Sequence, residues 1–180
     1  MNSDREFTLK PFELSKSNSK INISGNITRN ENKLNITYFL QGDLSKIILS
    51  ELSNIPTRKN ELWRTTCFEF FLGVINSPQY WEFNLSPTGD WNIYRFNDYR
   101  QEMVEESAFI ALPFNVIKQE HSLNINLEID LSSIVSLDTN LEIAITSVVK
   151  SKKGEISYWA LTHPENIADF HNRDSFAIHV

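Results

Sequence analysis

Between Leu62 and Arg100 bulky apolar side chains alternate with polar ones through three successive segments, and this period of two limits the possible folds most strongly. The segments read Trp63-Arg64-Thr65-Thr66-Cys67-Phe68-Glu69-Phe70-Phe71, then Tyr80-Trp81-Glu82-Phe83-Asn84-Leu85-Ser86-Pro87, then Gly89-Asp90-Trp91-Asn92-Ile93-Tyr94-Arg95-Phe96, closing on Tyr99-Arg100. Successive side chains on a β-strand point to opposite faces. Each tryptophan here therefore has a polar neighbour on the other face. One surface of such a sheet can be core while the other carries acid, amide and phenol groups. That argues for a β-sheet with a ligand-facing side.

The same alternation recurs at Ile21, Ile23 and Ile27, at Leu34, Ile36, Tyr38 and Leu40, from Leu123 through Leu131, and at Leu141, Ile143 and Ile145. These read as half-buried strands. Turn chemistry separates them at Asn30-Glu31-Asn32, Asn76-Ser77-Pro78, Pro87-Thr88-Gly89-Asp90 and Lys152-Lys153-Gly154. Single helical turns fit Asp130 to Val135 and Asp98 to Val104, and the polar stretch Ser15 to Ser19 reads as a loop. No repeat or composition break divides the chain, so residues 1–180 are expected to form one domain. About ten strands with short turns predict an all-β sandwich or barrel.

Placing the first two segments in a hairpin centred on Asn76-Ser77-Pro78 sets Glu69 opposite Glu82 and Phe70 opposite Trp81. Pairing the second with the third around Thr88 sets Glu82 opposite Tyr94 and Asn84 opposite Asn92. One face then holds Phe68, Phe70, Leu72, Trp81, Phe83, Leu85, Trp91 and Ile93, a core. The other holds Glu69, Phe71, Tyr80, Glu82, Asn84, Asn92, Tyr94 and Phe96. Adjacent glutamates repel unless something separates them. Solvent with a nearby arginine (Arg64 or Arg100), ligand hydroxyls or Ca²⁺ would each do so; a further reading is that the two are the paired carboxylates of a glycosidase.

Composition removes several function classes. With 17 basic and 23 acidic residues the net charge is −6, and no basic stripe suits nucleic acid. Cys67 is the sole cysteine, which excludes an internal disulfide and a multi-cysteine metal site. It lies in an apolar run and reads as buried. The Met1 to Glu6 segment lacks the apolar stretch of a signal peptide, and no segment has 18 successive apolar residues. A cytoplasmic protein with no membrane partner is the expectation. Near the end, Tyr158-Trp159-Ala160-Leu161-Thr162-His163-Pro164 and Asp169-Phe170-His171 bring two imidazoles near an aromatic plate, ahead of a last strand from Phe176 to Val180. The eight-residue spacing of His163 and His171 is not a zinc spacing. Neither a phosphate loop nor a dinucleotide fingerprint is present.

The run Thr66 to Phe71, the stretch Tyr80 to Pro87, Gly89-Asp90-Trp91, and the tail Trp159, Asp169-Phe170-His171, Phe176 together resemble the DOMON-like superfamily, which includes family 9 carbohydrate-binding modules. The chain looks like the short bacterial and cyanobacterial members. The resemblance implies a jelly-roll-like, immunoglobulin-like antiparallel β-sandwich that binds sugar or haem. It implies that Trp63 and Trp159 clamp a sugar, with Arg64, Glu69, Glu82, Asn84, Tyr94, Arg100, His163 and His171 as further ligand-binding positions. Thr65-Thr66 stands where relatives carry an aspartate pair, which counts against their cation site. Haem ligation would fall to Met103 with His163 or His171. The expected function is a non-catalytic carbohydrate or polyol module without cofactor or metal. The alternatives are an intracellular small-ligand or protein-interaction domain, and more remotely haem binding or hydrolysis at Glu69 and Glu82.

Overall fold

The computed structural model describes residues 4–13 and 20–180; the expected Ser15–Ser19 loop lies outside the described residues. The fold is all-β, with 49% strand, 5% helix and two antiparallel sheets. Five strands form the first sheet in the order β1 (Arg5–Thr8), β3 (Ile21–Asn30), β4 (Lys33–Gly42), β10 (Ser122–Asp130) and β9 (Phe114–Lys118). The second runs β2 (Lys10–Pro11), β12 (Ile156–Ala160), β11 (Leu141–Lys150), β5 (Cys67–Val74), β6 (Tyr80–Leu85), β7 (Trp91–Phe96) and β8 (Val104–Glu105), with β13 (Ile178–His179) also on β11. The surplus over ten strands is β2, β8 and β13, each only two residues long.

Alternating side chains fill the space between the sheets. From the first come Ile23, Ile27, Leu34, Ile36, Tyr38, Leu40 and the odd-numbered residues Leu123 to Ile129; from the second come Phe68, Phe70, Leu72, Trp81, Phe83, Leu85 and Ile93. Phe70 and Phe83 stack with centroids 4.3 Å apart. Each such ring contributes about 1.5–3 kcal/mol by leaving water. Tyr38, though in the core, donates its hydroxyl proton to the Glu69 carbonyl at 2.6 Å, so its polar end is satisfied.

The predicted face division is the observed one, but one register differs. Glu69 lies opposite Asn84, and Glu82 opposite Phe71, so the two glutamates are diagonal neighbours. The hairpin axis sits one residue later than expected, which moves each partner by two and leaves every side chain on its face. The β6–β7 register is as expected, with Glu82 opposite Tyr94 and Asn84 opposite Asn92. The turn at Pro87–Asp90 uses Gly89 at φ 87°, and Lys152–Gly154 uses Gly154 at φ 89°, conformations glycine adopts without penalty. Val135 N–H donates to the Leu131 carbonyl at 3.0 Å, closing the expected helical turn. Asp98 to Val104 instead forms a tight reverse turn, with Asp98 bridged to Gln101 and Arg100 at φ 54°. Three short 3-10 turns, Leu44–Lys46, Leu62–Arg64 and Arg173–Ser175, carried no periodic signal.

The strands β5, β6 and β7 are buried on both faces. Behind the sandwich core a second aromatic layer of Phe71, Tyr80, Tyr94, Phe96 and Phe176 packs against Trp63 and Phe170. The Leu62–Arg64 turn, the Asp98–Gln101 turn and the chain after β12 thus stand over the face that carries the glutamates. Among the described residues no helix is long and apolar enough to cross a membrane.

Candidate functional site

Over that face lies a cavity of about 410 Å³, within the roughly 300–1,000 Å³ range of small-molecule sites. Glu69 and Glu82 line it, each held there by strand alternation on β5 and β6. Trp63 comes from the 3-10 turn before β5, Tyr158 from β12, and Phe170 and His171 from the chain that follows. Arg100 and Met103 close another side.

Both carboxylates are buried, Glu69 at 2% exposure and Glu82 at 5%. Asn84 donates its amide N–H to Glu82 Oε1 at 2.9 Å. Thr146, across the ladder from Glu69, donates its hydroxyl to Glu69 Oε2 at 3.4 Å, while Oε1 has no partner among the described residues. Burial, then the charge of Glu82, pushes the Glu69 carboxyl well above the usual range. Burial pushes Glu82 up to about 7, against the opposing pull of Asn84 and Arg100. Desolvation and like charge act in the same direction here.

His171 is neutral at physiological pH. Burial first and Arg100 second lower it to about 4. The Tyr80 oxygen accepts the Arg100 backbone N–H at 3.1 Å and lies 2.8 Å from His171 Nδ1. With Tyr80 donating to Nδ1, the ring proton sits on Nε2, which faces Glu82 Oε2 at 3.8 Å. Arg100 donates to Asp169 Oδ1 at 2.8 Å, and Tyr99 donates to Oδ2 of the same carboxylate at 2.6 Å. The network fixes the His171 ring against Phe71, at 5.1 Å between centroids.

Glu69, Glu82, Arg100, His171 and Trp63 meet at this cavity, and five other expected positions do not line it. Trp159 is 3% exposed and belongs to the sandwich core, so its expected place in the clamp is overturned. Its neighbour Tyr158, 41% exposed, takes the cavity side, because β12 pairs Val148 with Tyr158 and Ser147 with Trp159. His163 lies elsewhere, with Nε2 2.8 Å from the Lys10 carbonyl and its ring on Phe12. Arg64 is exposed and paired with Glu61 at 2.7 Å. Asn84 is fully buried and acts through Glu82, and Tyr94 stands behind Trp63 at 5.6 Å. Sequence reasoning missed Tyr158 and Phe170 as walls. The alternation of Leu141, Ile143 and Ile145 carries Val148 outward, and the hairpin then carries Tyr158 with it.

The donor set does not fit haem. Both His171 nitrogens face protein groups, and His163 is outside the cavity. Among the described residues no cluster of three His, Cys, Asp or Glu could hold a metal ion. The arrangement can grip a ring between Trp63, Tyr158 and Phe170 and offer acceptors from two carboxylates beneath.

No protein-family model matches the chain, and no curated protein matches its sequence. Solved structures do match in fold. A candidate carbohydrate-binding protein of Bacteroides uniformis is 16% identical, with TM-score 0.68, over 95% of this chain and 83% of that one. A family 9 carbohydrate-binding module of Caldicellulosiruptor kristjanssonii in complex with glucose is 11% identical, with TM-score 0.55, over 95% and 81%. A second structure of such a module from that organism, with cellotriose, gives 11%, 0.54, 91% and 74%.

Proposed function

We propose that the protein is a non-catalytic carbohydrate- or polyol-binding module that takes its ligand in the cavity over Glu69 and Glu82. The observation that carries this is the pairing of buried acceptors with half-exposed aromatic walls. Sugar hydroxyls donate to carboxylates while the C–H faces of the ring lie on indole and phenyl. Trp63, Tyr158 and Phe170 supply the walls; Glu69, Glu82, His171 and Arg100 supply the polar groups. Support comes also from the shared fold with structures described as carbohydrate-binding, two of them holding glucose or cellotriose.

A thermal-shift screen of mono- and disaccharides tests the reading. A ligand at 100 times its Kd adds about 2.7 kcal/mol of stability. The expected result is a rise in Tm with at least one sugar, with no new reducing ends after incubation. No shift from any neutral or charged sugar would sink the proposal.

A further inference from the structure

We propose that the sugar bound here carries a protonated amine, seated on Glu69 and Glu82; this rests on the sugar-binding reading and names the ligand class for that same cavity. Glu69 lines the cavity, and its buried Oε1 has no partner among the described residues. Glu82 Oε2 has His171 Nε2 at 3.8 Å, beyond hydrogen-bond reach. The site therefore holds two carboxylates with two acceptor oxygens free, on diagonal positions of one sheet face.

Charge accounting separates an amine from a hydroxyl. Arg100 is the guanidinium at this cavity, and its hydrogen bonds go to Asp169, so that pair is already neutral. His171 carries no charge at physiological pH. No other lysine or arginine lines the cavity, and the pull of the already paired Arg100 leaves the Glu82 carboxyl raised. A hydroxyl brings a single proton and no charge, so with it the buried pair stays neutral only by keeping its own protons. An ammonium group brings three donors and one positive charge, which favours the ionised form of the carboxylates. An amino group on a pyranose ring meets both demands, with the ring on the aromatics and the cation on the floor.

Calorimetric titration at pH 7 with D-glucosamine, N-acetyl-D-glucosamine and D-glucose tests this in the whole chain. The expected result is glucosamine binding at least tenfold more tightly than the other two, with affinity falling as NaCl is added. Glu69→Gln should shrink the preference for glucosamine toward parity. Circular dichroism and melting establish that this variant folds, and Glu82→Gln serves as the second variant if it does not. Glucose binding as tightly as glucosamine would overturn the amine and leave the sugar-binding reading standing. A glucosamine preference unchanged in the folded variants would also overturn it. Absence of binding by all three, together with a flat thermal-shift screen, would remove both.

Discussion

Two tryptophans show how differently neighbouring positions are used. Trp159 is packed between the sheets, so Trp159→Ala should cost about 3–5 kcal/mol, the usual range for emptying a core aromatic site. Trp63 is half-buried at the cavity wall, and Trp63→Ala should leave more of the stability while losing ligand. Urea unfolding of both variants measures this, and equal losses would contradict the assignment. The carboxylates set a pH dependence. Between about 4.5 and 7 the folded chain keeps the Glu82 proton that the unfolded chain has lost. Its contribution, full below 4.5, is therefore lost as pH rises through 7, and Glu69 acts in the same sense. His171 runs oppositely: its contribution, full above 6.5, is lost as pH falls through 4. The groups facing this cluster are Tyr80, Cys67, Arg100 and Asp169. Glu82→Gln should thus hold its Tm better than wild type above pH 6.5 and fall more visibly in acid. Parallel Tm profiles from pH 4 to 8 would contradict this.

At the level of elements, the covering of the sheet face depends on how the chain after β12 is anchored. Arg173 donates to the Val74 carbonyl at 2.7 Å, to the Pro78 and Gln79 carbonyls, and to Glu142, and lies over the Phe176 ring at 5.0 Å. Arg173→Ala should therefore loosen Phe170 and His171 together, weakening ligand binding several-fold. Amide hydrogen exchange should rise over residues 170–176 while β5 and β6 keep their protection. Unchanged exchange there would show that the segment holds itself. Much of this layer was hidden in the sequence, since anchors such as Arg173 join residues about a hundred positions apart and leave no period. Strand faces were legible because alternation forces them. The Glu69–Glu82 pairing was not, because a shift of two residues keeps every face unchanged. Trp159 was placed on the wrong face for a related reason: between it and Tyr158 only the hairpin register shows which one points inward.

For the whole molecule, a two-sheet sandwich follows from the spread of period-2 runs and turn residues along the chain. Its use follows from the one face where acids and aromatics share a strand period. A second depression of about 610 Å³ borders the first across Tyr158 and Ala168, and is lined by Ile47, Val149, Ile156 and Ile167 with no such buried acid pair. It supplies the internal control. The most direct measurement is a calorimetric titration of wild type, Trp63→Ala, Phe170→Ala and Ile167→Ala with the sugar that raises Tm most. Wild type should bind with Kd between about 1 μM and 1 mM, roughly −8 to −4 kcal/mol. Trp63→Ala and Phe170→Ala should each weaken binding at least tenfold while remaining folded, and Ile167→Ala should bind as wild type does. Wild-type affinity in the first two variants, or its loss in Ile167→Ala alone, would place the ligand elsewhere and contradict the account.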